Sequence, residues 1–140
     1  MIIKTTDSYV FGGFTTKDWS QVSGFQADSN AFTFSFINPF GQSVKMNVVQ
    51  PEVALYSGQD YINRFYNGIL GFGYDFLLND YSNRYKNYAW PTFKSFFQIP
   101  EFVNGQVNKL INGASGFLAS EIEVYAVDID RIDIFFVLFI

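Results

Sequence analysis

The chain has 140 residues, which suits one domain, and 49% of them are hydrophobic, enough to bury a sizeable core. Aromatics make up 21%, with 18 Phe and 9 Tyr, which excludes a disordered chain. Charged residues are only 16%, against a usual share of about a quarter, and the net charge is −4. The basic residues are scattered, so no clustered patch exists to displace counterions from phosphates, and nucleic-acid binding is not expected.

The absence of Cys and His removes whole classes of chemistry. Ser-His-Asp and Cys-His arrangements, the usual zinc sites, thiol redox chemistry and disulfide frameworks cannot be built from this chain. There is no Asn-x-Ser/Thr acceptor, and MIIKTTDSYVFGG has no apolar run of signal-peptide length. An intracellular, cytoplasmic home is the expectation. No stretch reaches the ~20 apolar residues needed to span a bilayer.

In chain order, short apolar pairs suggest strands at Met1–Lys4 and Tyr9–Phe14 around a turn at Thr6–Ser8. Thr15–Gly24 reads as a polar loop anchored by Trp19. AFTFSFIN is the clearest local signal: a period of two puts Phe32, Phe34 and Phe36 on one sheet face. SVKMNVV repeats the pattern with Val44, Met46 and Val48 inward. Between them, Asn38-Pro39-Phe40-Gly41 supplies the turn of a hairpin. Val53–Tyr56 and Tyr74–Leu78 are expected strands, Tyr81–Tyr88 a long loop, and Ala89–Gln98 a strand broken at Pro91. Pro100–Gly116 carries Asn104-Gly105 and Asn112-Gly113 turns around a short helix. Phe117–Tyr125 is a further strand, with Ile122 and Val124 inward. Residues 1–125 form the domain, and 126–140 an apolar extension.

The extension ends in seven apolar residues, Ile134–Ile140. Exposed, they would be an aggregation-prone segment. They are expected either as a final core strand or, with Ile134, Phe135, Phe136, Leu138 and Phe139 in contact, as a strand or helix buried against a partner. Strand-sized segments dominate and no long helical period occurs. The expected fold is mostly β: an antiparallel β-sandwich with one or two short helices.

Candidate chemistry is thin. Glu121 and Glu123 lie two apart on a strand, hence on one face at about 7 Å, within the range of inverting glycosidases. Alternating charges are also the ordinary mark of a solvated sheet face. Asp128, Asp130 and Asp133 lack the Gly and Glu of a calcium loop, and Asp75 and Asp80 have no ligand spacing. Gly68, Gly71 and Gly73 do not follow the dinucleotide fingerprint and are better explained by tight turns or close backbone approach. No catalytic residue, cofactor or metal is expected.

Five segments in order resemble the TLDc domain of the eukaryotic oxidation-resistance proteins. Phe11, Gly12, Gly13, Phe14 and Thr15 before Trp19 look like its first signature. SGFQADSNAFTFSFIN, with Phe34, resembles its Gly-containing loop and Phe-x-Phe strand, and PEVALY the next strand. GILGFGYDFLLND matches its Gly-rich turn at Gly68, Gly71, Gly73 and Asp75, and FLASEIEVY its closing strand at Glu121, Glu123 and Val124. The likeness runs from Met1 to Tyr125. The chain departs from the family in starting at the Phe-Gly-Gly strand, without the helical segments that usually precede it. It also has only Ser120 between Phe-Leu-Ala and Glu-Ile-Glu-Val, an insert at Asn104–Gly113, and a tail from Ala126. A divergent or N-terminally truncated copy is implied, needing a neighbour to cover exposed sheet. The family has been linked to oxidation resistance and to the V-type proton ATPase. The resemblance therefore implies a non-catalytic interaction module, with a protein partner or a larger complex. The competing expectations are a carbohydrate-binding sandwich stacking sugars on Trp19, Trp90 and nearby tyrosines, and a carboxylate hydrolase built on Glu121 and Glu123.

Overall fold

A computed structural model describes residues 1–19, 24–58, 69–73, 76–79, 82–84, 86–89, 97–110 and 116–126. Asp75, Trp90 and Ile134–Ile140, singled out above, lie outside these residues. Among these residues, eleven strands form two antiparallel sheets. The first, in the order β11(Ala119–Glu123), β1(Ile2–Thr5), β2(Val10–Phe14), β4(Phe32–Ile37), β5(Val44–Asn47), has five strands. The second, in the order β10(Gly116–Phe117), β9(Asn87–Ala89), β8(Phe76–Asn79), β7(Ile69–Phe72), β6(Leu55–Gly58), β3(Gly24–Gln26), has six. The expected sandwich is present. The short helical pieces among the described residues are 3₁₀ turns at Pro51–Val53, Glu101–Val103 and Val107–Leu110.

Aromatic rings join the two sheets. Phe11 on β2 packs edge-on against Phe76 on β8 and Phe117 on β10, with centroids 5.2 and 5.0 Å apart. Such pairs add about 0.5–1.5 kcal/mol each beyond their buried area. The Phe72 ring of β7 lies directly on Gly13 of β2, where a Cβ would sit 2.5 Å from ring carbons. Only glycine lets the facing sheet approach this closely.

Several strand boundaries differ from expectation. Val53 ends a 3₁₀ turn, and the strand begins at Leu55. Asn87 and Tyr88, expected in a loop, begin β9. Gly24 opens a short strand. The largest difference is at Phe117–Tyr125. Phe117 pairs with Asn87 in one sheet and Ala119 with Thr5 in the other, so the chain changes sheets at Leu118. Ile122 is opposite the buried Ile3, but on an edge strand it remains 40% exposed, and Val124 lies past the strand at 69%. Ile122 thus takes the inward side, as expected, without being covered there, and Val124 does not, because period two sets the face and not whether another layer covers it.

Hydrogen bonds bridge the change of sheet. Thr6 N–H donates to the Leu118 carbonyl at 3.0 Å, and Ala119 N–H to that of Ser82 at 2.9 Å. The fully buried Asn87 supplies the rest: its Oδ1 accepts from Asn79 N–H at 2.9 Å, and its Nδ2 donates to the carbonyls of Ser82 at 2.9 Å and Phe117 at 3.3 Å. Ser120 falls at an irregularity in the β1–β11 register, and its hydroxyl is 3.1 Å from the carbonyls of both Lys4 and Thr5.

Two substitutions test these constraints by urea unfolding. Gly13→Ala forces Phe72 or the backbone to move and is expected to cost about 1–3 kcal/mol. Asn87→Leu keeps the volume but orphans buried groups at about 1–3 kcal/mol each, so a loss of at least about 2 kcal/mol is expected. Unchanged midpoints would show that the sheets do not depend on these contacts.

Candidate functional site: an aromatic sheet face

The outer face of the five-stranded sheet follows from register. Antiparallel partners point the same way, so Ile2, Gly12, Phe34 and Lys45 form one outward row and Phe14, Phe32 and Asn47 the next. The row on the other side, Ile3, Phe11, Ser35 and Val44, faces the interior. The alternation of AFTFSFIN thus holds, and its three Phe rings share a face. That face is opposite to the Met46 face: Thr33, paired with Met46, is buried, whereas Phe36 is 38% exposed.

Small inward residues are required here by what lies beneath. The 3₁₀ turn Val107–Leu110 approaches this part of the sheet, and the Ser35 hydroxyl donates to the Leu110 carbonyl while accepting from Asn38 Nδ2 at 2.9 Å. Phe at 33 or 35 would collide with that turn. A cavity of about 20 Å³ remains, lined by Phe11, Met46, Phe76, Val107 and Leu110 among others, room for one water and not for a ligand.

The outward rings organise one another. Phe14 and Phe32 stack at 5.1 Å and 19°, and Phe34 meets Phe36 edge-on at 6.1 Å. Phe34 also lies on Gly12, whose added Cβ would meet its ring at 2.7 Å and the Met1 carbonyl oxygen at 2.1 Å. Lys45 Nζ stands 4.2 Å over the Phe32 ring, a cation–π contact. The Phe-Gly-Gly signature therefore seats one ring on each side of the sheet: Phe34 outside on Gly12, Phe72 inside on Gly13.

Asp28 holds the end of this face in place. Its carboxylate accepts from Thr15 Oγ1 and Thr16 N–H at 2.7 Å, Asn30 N–H at 2.9 Å and Thr16 Oγ1 at 3.0 Å. These bonds tie the segment after Phe14 to the segment before Phe32. Burial alone would raise its carboxyl, but the four hydrogen bonds outweigh that and hold it below the ordinary carboxylate range.

The other residues singled out from sequence have different places. Glu121 and Glu123 are on the outward side of edge strand β11. Glu121 pairs with Lys4 at 2.7 Å, and Glu123 accepts from the Tyr125 hydroxyl at 2.6 Å. Phe11 is core. Trp19 packs edge-on against Phe72 at 5.3 Å with its indole N–H buried, so it offers no open platform for a sugar. Gly71 lies close to Leu77 and the Phe76 carbonyl, and Gly73 takes a φ of 53° while donating to the Ala54 carbonyl, both backbone roles. Among the described residues, no group of three acidic side chains is placed to hold a metal ion. Sequence reasoning missed Asp28, Phe14 and Lys45 as parts of one surface. The only signal for that surface was a Phe alternation interleaved with small hydroxyl residues.

A TLDc family model matches residues 1–128. The chain belongs to the TLDc family. The match begins at the first strand and passes beyond β11, so both sheets of this TLDc domain fall within it. No curated protein and no solved structure matches the chain.

Asp28 gives the domain an acid-side dependence. Its folded pKa is depressed, so its contribution is fully present above the unfolded value of about 4 and is lost as pH falls through the folded value. Asp28→Asn is expected to lower the urea midpoint most near neutral pH, with wild type and variant converging towards about pH 2. A gap that stays constant across that range would show that the carboxylate charge is not what holds the loop.

Proposed function

We propose that this TLDc domain is a non-catalytic protein-interaction module that works as an accessory part of a larger assembly. The observation that carries the proposal is the outward aromatic face. Phe36 and Ile37 are 38% and 54% exposed, and Phe14, Phe32 and Phe34 are only half-buried beside them. A contiguous apolar patch rimmed by charge is the usual mark of a protein contact. Lys45 stands at one side of it, and Lys4, Glu121 and Glu123 at the other. The missing His and Cys point the same way.

The family link makes the V-type proton ATPase the first partner to test and protection against oxidative damage the first phenotype. A cytoplasmic location fits both. No helix among the described residues is long and apolar enough to cross a membrane.

The test is capture of the tagged chain from cells under mild cross-linking. ATPase subunits are expected with wild type, and Phe36→Asp combined with Ile37→Asp should reduce their recovery at least ~10-fold while the far-ultraviolet spectrum is unchanged. Truncating two interface anchors supports a loss of that size. Recovery of wild type as a stable monomer with no partner would overturn the proposal.

A further inference from the structure

We infer that Asn104 converts itself to isoaspartate within the folded domain, by ring closure onto the backbone nitrogen of Gly105. Closure of this kind is least hindered in an Asn-Gly pair, because the attacking nitrogen belongs to a residue without a Cβ. The chain has three such pairs, and Asn104-Gly105 is the one among the described residues. Both residues are exposed, so water reaches them.

The turn brings the reaction within one rotation. Asn104 and Gly105 lie between the 3₁₀ turns Glu101–Val103 and Val107–Leu110. φ is 46° at Asn104 and 77° at Gly105, and Gln106 N–H donates to the Val103 carbonyl at 2.9 Å, which makes a type I′ turn. The five-membered ring needs Cγ, Cβ, Cα, the carbonyl carbon and the Gly105 nitrogen nearly coplanar. Asn104 has a ψ of 51°, and Cβ is offset by about 120° round the Cα–C bond in an L-residue, so the nitrogen starts on the far side. A flip of the peptide plane between the two residues brings it round. That flip turns type I′ into type II′, which keeps the positive φ at Asn104 and the Gln106–Val103 hydrogen bond. Among the described residues, Gly105 N–H has no hydrogen-bond partner, so the flip breaks none there. Its cost is the strained conformation of a non-glycine residue at the first central position of a type II′ turn, which makes the conversion slow.

The chemistry needs only water. The Gly105 nitrogen gives up its proton to the solvent and bonds to Asn104 Cγ. The Cγ–Nδ2 bond breaks, and the amide nitrogen leaves with a proton as ammonia. Water then opens the cyclic imide at either carbonyl, giving aspartate or isoaspartate and one added negative charge. Isoaspartate inserts a carbon into the main chain between Val103 and Gly105, and the two-residue turn no longer closes. The Leu110 carbonyl at the end of the next 3₁₀ turn accepts from Ser35, so the product loosens the support beneath the five-stranded sheet.

The test incubates the full wild-type chain at mildly alkaline pH, in urea from zero to just below the unfolding midpoint, and digests it with trypsin. The peptide Ser95–Lys109 holds this Asn-Gly pair and neither of the others. A gain of ~1 Da at Asn104 is expected, in two chromatographic forms, at a rate that sub-denaturing urea leaves unchanged, since a local flip exposes little surface. Converted chains, separated by their extra charge, should unfold at lower urea. No gain at Asn104 in the folded chain, a rate that rises in step with the unfolded fraction, or equal midpoints would each overturn the inference.

Discussion

The contact on which the rest of this domain depends is the seating of Phe72 on Gly13. It sets how near the two sheets come, and that spacing allows Phe11 to reach Phe76 and Phe117. Protein interiors are packed as densely as organic crystals, so an added methyl at this point has nowhere to go. The neighbouring Gly12 does the same on the opposite side for Phe34. Two adjacent glycines thus make one strand thin enough to take an aromatic ring on each face. This is a physical reason for a Phe-Gly-Gly-Phe run at the start of a two-sheet domain.

The second requirement is polar. A chain that moves from one sheet to the other at Leu118 must satisfy its backbone groups away from either ladder, because an unpaired buried group costs about 1–3 kcal/mol. Asn87 serves as the joint: one side chain replaces ladder partners on two different strands. Asp28 does the corresponding work at the far end of β2, accepting four hydrogen bonds from two loops. Neither arrangement points to chemistry; both hold sheets and loops in register.

What reaches the surface is correspondingly simple. The charged groups of the five-stranded sheet lie beside its rings, Lys45 over Phe32 and Lys4 against Glu121. The two glutamates that could have formed a carboxylate pair stand on an exposed edge, each with its own partner. The outer face is therefore an apolar field with a polar border.

Much of this was legible in the amino-acid order. Alternation at Phe32–Phe36 located a strand, Asn38-Pro39-Phe40-Gly41 located its turn, and Gly41 adopts the positive φ that the turn needs, at 65°. The ordered short motifs placed the chain in its family before any contact was known. These features are local: strand period, turn chemistry and glycine conformation act over a few residues. Which side of the Phe strand turns inward was decided elsewhere, by a 3₁₀ turn some seventy-five positions away that needs Ser35 beneath it. The change of sheet at Leu118, the Asn87 joint and the Asp28 clamp were likewise settled by partners far along the chain. Sequence alone determined that there would be β-strands, rich in Phe, with no histidine or thiol chemistry. Only the tertiary structure decided which of their faces met the core, because burial is a property of what lies opposite, and period two is blind to that.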